Sequence, residues 1–427
     1  MRRTLLLLAL AGIVLSHPPA VAQSLAITGG TVYPVSGPAI PKGTVLIVDG
    51  RITAVGPDLP IPAGATVVDA TGKWVTPGLF NAQTSLGLTE VGSGGNANET
   101  SADGQDQVAA SFQPWLAYNP RSVLIPSNRD YGVTTVAVWP DGNLVAGQGA
   151  VIDLGGATLA EALVQAPVGM FGRLEGNGSA GVGARGELIG KLKELLDDTR
   201  VFMKNRSAYD AAKLRAFAFR RVDLEAMIPV VTGRLPLVLA VDQAADILTA
   251  LELARSYQLK LVLYGAAEGW MVAPQIAAAR VPVMAGAMNN VPRSFTSLGS
   301  RQDNPALLRR AGVQVVLIGN AGGDEELFNV RNIRFEAGNA VGYGMTWDDA
   351  LAAVTQAPAS VFGVSDRVGT LQAGREGNVV VWSGDPFEFA TRAEHVYVRG
   401  VEDTAPSRQE ILTERYKTLP PSYDTPR

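Results

Sequence analysis

The stretch WVTPGLFNAQTSLGL, residues 74–88, raises the main question about this chain. Its first part has the composition of a buried β-strand, and its end has that of a loop. Asn81, Gln83 and Ser85 occupy alternate positions, and side chains alternate across a strand, so we expect all three to point to the same side. That spacing suits metal ligands, but neutral amide and hydroxyl groups are weak ligands for metal ions. The stretch therefore combines the spacing of a metal site with the chemistry of a hydrogen-bonding site.

The chain begins with a segment that resembles an export signal. Residues 1–22 contain two arginines, an apolar run over residues 5–15 and an A-x-A motif that ends at Ala22. This is the pattern of a cleaved secretory signal, and its apolar run is too short to span a bilayer. The sequence has no cysteine. An exported protein without disulfides indicates a bacterial periplasm, and we expect no membrane anchor after cleavage.

The charge of the chain bears on its partners. The formal net charge is −4. A mildly acidic protein is a poor partner for nucleic acid or for an anionic membrane surface. We therefore expect a small-molecule or peptide-fragment ligand and no nucleic acid.

The middle of the chain alternates between β-type runs and amphipathic helical patterns. This alternation over residues 77–363 predicts an α/β fold, specifically a (β/α)8 TIM-like barrel rather than an open sheet. One predicted helix follows Asp242, which we expect to cap it. The clearest predicted strands are residues 133–138, 235–241, 259–265, 281–286 and 313–319.

Both ends of the chain consist of short β-type runs. Asp49-Gly50 between alternating apolar residues predicts a two-residue hairpin. Neither end has enough strands for a stable sheet of its own. We therefore predict a small composite β-sandwich domain built from residues 23–76 and 364–403, with a C-terminal tail at 404–427.

Several stretches resemble the amidohydrolase superfamily, and in particular its exported imidazolonepropionase-like branch. They follow one another in the family's order from one end of the mature chain to the other: VDGRITAVG (48–56), WVTPGLFNAQTSLGL (74–88), YGVTTVAVWP (131–140), AGVQVVLIG (311–319), FEAGNAVGYGMTWDDALAAVTQAPASVFGV (335–364) and GTLQAGREGNVVVWSGDP (369–386). The resemblance implies a barrel that hydrolyses amide or ring C–N bonds. It also implies zinc or another divalent metal, which activates water and polarises the carbonyl.

The resemblance places neutral residues where the family has its metal ligands. Gln83 and Ser85 occupy the places of two histidines, and Asn81 occupies that of an aspartate. Two further histidine positions fall at about Ala240 and Gly265. The proton-shuttling aspartate of the family falls near Asn320, and Glu175 stands where a carboxylate ligand is expected.

Histidine is almost absent from the chain. Once residues 1–22 are removed, His395 is the only one left. A catalytic zinc site needs about three imidazole, thiolate or carboxylate ligands. We therefore expect no metal cofactor and no metal chemistry of the family's kind.

A few other residues are candidates for a site. Glu268, just past a predicted strand, is a candidate acid/base or ligand anchor, with a loop ion pair as the alternative. Trp270 is a candidate pocket wall, although core packing explains it equally well. The acidic run 324–326 fits a solvated helix start better than a metal cluster. A G-x-G-x-x-G pattern within residues 176–186 lacks a dinucleotide-binding context and indicates a loop.

Three functional hypotheses remain open. The first is a non-catalytic binding protein whose ligand-binding residues are Asn81, Gln83, Ser85, Trp270 and Asn320. The second is a C–N hydrolase with an altered site that uses Glu175, Glu268 and the acidic run around Asp324 with a hard metal. The third is a subunit that pairs with a catalytically intact paralogue, in a homo- or hetero-oligomer. We rank the inactive hypotheses first, because one surviving carboxylate is not a metal site.

Overall fold

The computed structural model describes residues 24–90, 98–102, 107–174, 183–292, 294–320, 329–404 and 406–418. Its strands are β1 (Ser24–Val32), β2 (Ile40–Val48), β3 (Arg51–Pro57), β4 (Thr66–Asp69), β5 (Trp74–Pro77), β6 (Leu79–Thr84), β7 (Val133–Val138), β8 (Gly147–Asp153), β9 (Leu163–Arg173), β10 (Leu237–Val241), β11 (Leu261–Gly265), β12 (Val283–Ala285), β13 (Val315–Leu317), β14 (Val379–Trp382), β15 (Ala393–Val398) and β16 (Val401–Glu402).

The α-helices are α1 (Leu124–Arg129), α2 (Leu159–Ala162), α3 (Arg185–Lys204), α4 (Arg206–Asp210), α5 (Arg221–Val231), α6 (Ala244–Tyr257), α7 (Ala273–Ala279), α8 (Asn304–Arg310), α9 (Ile333–Gly342), α10 (Trp347–Ala353), α11 (Gln356–Val361) and α12 (Arg408–Tyr416). Short 3-10 helices lie at Pro114–Ala117, Gly269–Val272, Phe295–Ser297 and Val330–Asn332. Within the described residues, no helix is both long enough and apolar enough to cross a membrane.

Strands from the two ends of the chain pair in one sheet. Its order is β16-β15-β14-β5-β1-β2-β3, and β4 pairs with β1. The two ends meet where β5 runs antiparallel to β14, with Trp74 opposite Trp382. The predicted hairpin is confirmed, because Val48 pairs with Arg51 around Asp49 and Gly50. The hydrogen bonds define one composite sheet, so the predicted sandwich is not confirmed, and the domain limits remain a prediction.

The second sheet forms a nearly closed barrel of eight strands, in the order β13-β12-β11-β10-β9-β8-β7-β6. The five strands predicted at 133–138, 235–241, 259–265, 281–286 and 313–319 are confirmed as β7 and β10–β13. The expectation of eight parallel strands is wrong for β8, which runs antiparallel to both β7 and β9. The connection of residues 139–146 is too short for a parallel crossover, which needs about a dozen residues or more.

Alternate residues of the barrel strands belong to two apolar clusters. One cluster, the barrel interior, includes Phe80, Ala82, Trp139 and Val238. The other, the outer core, includes strand residues such as Leu79 together with the apolar faces of helices α3, α6 and α9. The cluster to which a strand residue belongs therefore shows which way its side chain points.

A glycine and a tryptophan lock the barrel to the composite sheet. Trp382 on β14 is completely buried, and its Nε1 donates to Thr76 Oγ1 at 2.8 Å. Gly132, just before β7, has a φ of +83°, and a Cβ at this position would lie 2.2 Å from the Trp382 ring. The close approach of barrel and sheet at this point therefore depends on glycine.

We predict that Gly132→Ala destabilises the protein by about 2–5 kcal/mol, because the new Cβ adds backbone strain and overpacking. Urea denaturation measures this free energy of unfolding. The matched control is Gly190→Ala on α3, where no atom lies within 4 Å of the new Cβ. This change is expected to stabilise the helix by about 0.5–1 kcal/mol. Equal effects at the two glycines would contradict the proposed lock.

A buried carboxylate also joins the two sheets. Asp153, at the end of β8, has no solvent exposure, and its Oδ1 accepts from Thr135 Oγ1 at 2.9 Å and from Asn378 Nδ2 at 3.0 Å. Its Oδ2 accepts from Arg399 Nε at 3.0 Å. Burial, and then the neighbouring Glu376 carboxylate, raise the pKa of Asp153 from 3.8 to about 7. The folded protein therefore takes up a proton here that the unfolded chain releases.

We predict that the free energy of unfolding falls as the pH rises from about 4 to about 7 and levels off above it. A group whose pKa is raised on folding stabilises the folded state below its unfolded pKa and loses that effect as pH rises through the folded pKa. Denaturation between pH 4.5 and pH 8 measures the slope, and Asp153→Asn should reduce it.

Asp130 is the control for this experiment, because burial raises its pKa to about 6 with the same sign. Asp130→Asn should remove only the lower part of the slope. A slope that persists unchanged in Asp153→Asn would contradict the assignment.

Candidate functional site

A β-bulge in β6 sets the direction of the polar side chains in the opening stretch. Asn81 pairs with Val136 and Thr84 pairs with Val138, so two residues of β6 face the single Ala137 of β7. Such a bulge changes the phase of alternation along a strand. Val138 belongs to the outer core, so its partner Thr84 faces outward. The neighbours of Thr84, Gln83 and Ser85, therefore face the inside of the barrel mouth.

Asn81 does not share this direction. It precedes the bulge and lies next to the inward-facing Phe80, so it points to the outer side. There its Nδ2 donates to the backbone oxygen of Val330 at 3.1 Å. Its Oδ1 accepts the backbone N–H of Gln83 at 3.1 Å. The expectation that all three polar side chains share one face is therefore wrong for Asn81, whose amide supports the bulge. Whether it also binds a ligand stays a prediction.

Gln83 has the least satisfied side chain at the mouth. It is only 7% exposed, and its Oε1 is buried without a hydrogen-bond partner among the described residues. A buried acceptor left unpaired costs about 1–3 kcal/mol. Ser85 beside it is half-buried, and its backbone oxygen accepts from Leu88 and Thr89. The amide of Gln83 can thus supply one acceptor and two donors to a bound molecule.

Asn320 lies just past the end of β13, next to the loop that follows the neighbouring strand β12. Its Nδ2 donates to Met288 O at 2.8 Å and to Asn290 Oδ1 at 2.7 Å. The two asparagines form an amide pair across the ends of β12 and β13. The predicted role of Asn320 in ligand binding stays a prediction.

Glu336 is a residue that the sequence reasoning missed. It is fully buried on α9, and its Oε2 accepts the backbone N–H groups of Ala287 at 2.6 Å and Met288 at 2.7 Å. Its Oε1 accepts the backbone N–H of Asn320 at 2.6 Å. One carboxylate therefore fixes the ends of β12 and β13. A signal was available, because Glu336 falls on the apolar stripe of α9 that also carries Ile333, Ala337 and Ala340.

Glu268 and Trp270 hold a neighbouring loop. Glu268 Oε2 accepts the backbone N–H of Ala244, the first residue of α6, at 2.9 Å, and its Oε1 accepts that of Gly299 at 3.1 Å. Trp270 Nε1 donates to Gly299 O at 2.8 Å, and the Arg301 guanidinium lies 4.7 Å from its ring. Both oxygens of Glu268 are thus already engaged. Its predicted roles, and that of Trp270, stay predictions.

The predicted helix cap at Asp242 is wrong. Gln243 is the N-cap residue of α6, and the carboxylate of Glu268 satisfies the first backbone N–H group. Asp242 Oδ1 instead accepts the backbone N–H of Ala267 at 3.1 Å. The carboxylate of Asp242 thus ties the end of β10 to the loop after β11.

On β11 the residue that faces the barrel interior is Tyr264, one residue before Gly265, where the resemblance places a histidine of the family. Val262 and Tyr264 belong to or pack against the barrel interior, whereas Gly265 has a φ of +82°. A Cβ at Gly265 would lie 2.7 Å from Asp242 Oδ1. Tyr264 therefore occupies the inward position, and its ring meets Phe171 edge-on at 5.5 Å. Ala240 on β10 is fully buried and shares the phase of the inward-facing Val238.

Some predicted residues lie outside the described part of the chain. These are Glu175, the acidic run 324–326, and most of the glycine-rich stretch 176–186. The leader of residues 1–22 also lies outside it.

The described residues at the mouth do not form a ligand set for a divalent metal. The sequence contains no histidine or cysteine between residues 24 and 394, and His395 lies on β15, where it pairs with Glu402 at 2.6 Å. Where the chain is described, no group of three or more His, Cys, Asp or Glu side chains is placed to hold a metal ion. Gln83 is neutral, and backbone N–H groups already occupy the carboxylates of Glu268 and Glu336. The mouth is equipped for hydrogen bonding.

The candidate site thus lies at the carboxyl ends of the strands of an α/β barrel. The sequence profile described as "Amidohydrolase family" matches residues 339–402. An amidohydrolase structure from Thermotoga maritima is 26% identical and superimposes with a TM-score of 0.80, covering 90% of this chain and all of that one. Imidazolonepropionase of Mesorhizobium japonicum is 24% identical over 84% of this chain and 90% of its own length. Over most of its length, the chain is similar to proteins of the amidohydrolase superfamily.

Two other relatives match only short segments. The amidohydrolase tasK of Hapsidospora irregularis is 34% identical over a segment that makes up 18% of this chain and 8% of that protein. The 5-methylthioadenosine/S-adenosylhomocysteine deaminase of Moorella thermoacetica is 45% identical over a segment that makes up 14% of this chain and 14% of that protein. These matches support the superfamily and carry no substrate over to this chain.

We predict that Glu336→Gln destabilises the protein by at least about 1.5–3 kcal/mol, because an amide NH₂ would replace one oxygen that accepts a backbone N–H. Thermal and urea unfolding measure the loss. The control is Glu252→Gln on the exposed face of α6, where only Arg255 and Ser256 contact the carboxylate. That control is expected to unfold like the parent protein. If the two variants unfolded alike, Glu336 would not be the anchor of these strand ends.

Proposed function

We propose that this protein is a non-catalytic member of the superfamily whose barrel mouth binds a small polar molecule through neutral hydrogen-bonding groups. The observation that carries the proposal is the buried amide of Gln83, which faces inward and whose Oε1 has no partner among the described residues. A buried polar group usually has a partner, so an orphaned one at the ligand-binding end of a barrel favours a missing ligand.

The other groups at the mouth support the same class of ligand. Asn290 and Asn320 are further amides there, although their Nδ2 groups already donate to Gly286 O and to Met288 O, and Tyr264 contributes an aromatic ring. An amide such as Gln83 pairs well with another amide, because each has both a donor and an acceptor. The ligand that we propose is therefore an amide-bearing molecule, such as an acyl-amino acid, a dipeptide or a cyclic amide.

We extend the proposal to the setting of the protein. The leader sequence supports a periplasmic location, and the pocket serves either the protein alone or a subunit beside a catalytically complete relative. The absence of imidazole ligands is the reason for placing catalysis in the relative. Water that is not bound to a cation keeps a pKa far above neutrality, and Gln83 cannot act as a general base near pH 7.

The first test is Gln83→Met, which keeps the size of the side chain and removes the amide. We predict that the variant is more stable than the parent by about 1–3 kcal/mol, because an unpaired buried acceptor is gone. Its affinity for the amide ligand should fall about tenfold or more, since a direct hydrogen-bond partner is lost. Calorimetric titration with N-acetyl amino acids, dipeptides, hydantoins and imidazolones, together with urea unfolding, gives both quantities.

The matched control for this test is Gln372→Met, the same chemical change at an exposed position. It should alter neither the stability nor the affinity. Loss of stability in Gln83→Met without loss of binding would assign Gln83 a purely structural role and remove the main support for the proposal.

The second test concerns catalysis on the same panel of compounds. We predict no metal-dependent release of amine or ammonia above background from the wild-type protein. Turnover by the wild type that Glu175→Ala or Glu268→Ala abolishes would establish the alternative, a C–N hydrolase with an altered site.

A further inference from the structure

A cavity lies on the flank of the barrel, where barrel helices meet the composite sheet. Its volume is about 670 Å³, which is within the usual range for small-molecule pockets. The walls come from the end of α1, the start of α9, the composite-sheet strand β15 and the C-terminal helix α12. Three parts of the fold therefore meet around one space, which we call the flank cavity.

The carboxylates in the walls of the flank cavity already have partners. Asp403 pairs with Arg129 at 2.8 Å. Glu394 pairs with Lys73 at 2.6 Å. Glu410 Oε2 accepts the backbone N–H of Ser407 at 2.7 Å and the Ser407 hydroxyl at 3.0 Å. These three carboxylates therefore already have neighbouring groups as ion-pair or hydrogen-bond partners.

Asp130 adds negative charge to the cavity at neutral pH. Burial, followed by the charges of Glu410 and Asp403, raises its pKa to about 6. Its carboxyl group is therefore mostly ionised at neutral pH and becomes protonated only as the pH falls through about 6.

Arg331 and Arg334 in the walls form no ion pair with a carboxylate among the described residues. Arg331 lies with its guanidinium 4.8 Å from the ring centroid of Tyr131, and no carboxylate pairs with it among the described residues. Arg334 is only 1% exposed, its guanidinium is 5.8 Å from the same ring, and its Nη2 donates to two backbone oxygens. Its Nε has no acceptor in the described part of the chain. Two like charges against one ring favour an anion between or beside them.

The cavity also offers an apolar surface. Phe389 lines it, is 80% exposed, and stacks on Phe335 with 4.3 Å between ring centroids. An exposed ring held in place by stacking is suited to cover the apolar part of a ligand. The flank cavity thus combines guanidinium groups with an aromatic wall.

We propose that the flank cavity is a second ligand-binding site, which takes a small organic monocarboxylate with an aromatic or apolar body. The planar guanidinium of Arg331 matches a carboxylate with two parallel hydrogen bonds. A monoanion fits better than a phosphate dianion, because four carboxyl groups stand in the walls and repel additional negative charge. None of the cavity's lining residues is Gln83, Asn290 or Asn320.

Phenylacetate is the probe that tests this proposal, because it has the carboxylate and the ring but no amide for the barrel mouth. Phenylacetamide is its uncharged counterpart, and phenyl phosphate is the dianionic one. In calorimetric titrations of the full-length protein, we expect saturable binding of phenylacetate with one site per chain. Phenylacetamide and phenyl phosphate should both bind at least about tenfold more weakly.

Four variants locate the site. Arg331→Met should weaken phenylacetate binding about tenfold or more, and Arg331→Lys should weaken it less, because lysine keeps the charge without the planar fork. Phe389→Ala removes an exposed ring and should also weaken binding. The control Arg121→Met removes an exposed arginine elsewhere and should leave the affinity unchanged.

Three results would overturn the proposal. They are no saturable binding of phenylacetate up to about 10 mM, an unchanged affinity in both Arg331→Met and Phe389→Ala, and tighter binding of phenyl phosphate than of phenylacetate. Loss of phenylacetate binding in Gln83→Met with no loss in Arg331→Met would also overturn it, since the probe would then occupy the barrel mouth.

Discussion

The fully buried carboxylate of Glu336 fixes the geometry of the barrel mouth. A buried charge is costly unless hydrogen bonds replace its hydration, and here three backbone N–H groups at the ends of β12 and β13 do so. Because one of these groups belongs to Asn320, the anchor also determines where the amide of Asn320 meets Asn290. The Glu336 carboxylate behind the mouth therefore sets the position of the neutral amides of Asn320 and Asn290.

The part of the mouth at β6, next to β13 where the barrel closes, depends on one extra residue in that strand. The bulge turns Asn81 outward, where its amide supports the backbone, and leaves Gln83 and Ser85 facing inward. A strand without the bulge would keep Asn81 and Gln83 on the same face. The result is a mouth lined by amides, with an aromatic ring from Tyr264. Such a mouth can recognise hydrogen-bonding groups, and its described residues include no cluster of imidazole, thiolate or carboxylate groups placed to hold a metal.

The pattern of the sequence was sufficient for much of the fold. Hydrophobic periodicity located five barrel strands, and the Asp49-Gly50 pair located a hairpin, because both signals are local. The antiparallel direction of β8 follows from the shortness of the connection before it, a constraint that the overall β/α alternation concealed. The composite sheet contains strands from both ends as expected, but pattern alone does not show whether such strands form one layer or two.

The candidate site was harder to predict, because its details depend on contacts between distant residues. No local signal announces the bulge at Gln83, and the shift from Gly265 to Tyr264 depends on the phase of β11 relative to its neighbours. The sequence identified Glu268 as an acid near the mouth, but its backbone partners at Ala244 and Gly299 come from other loops. Glu336 was the exception, since a glutamate on an apolar helical stripe is visible in the sequence.

The central claim is that the barrel mouth works without a metal ion, and the metal content of the purified protein tests it most directly. The mature chain is dialysed against a chelator and then assayed by elemental analysis. The account predicts far less than one equivalent of zinc, manganese or iron per chain. One chelator-resistant equivalent that disappears in Glu175→Ala or Glu268→Ala would contradict it.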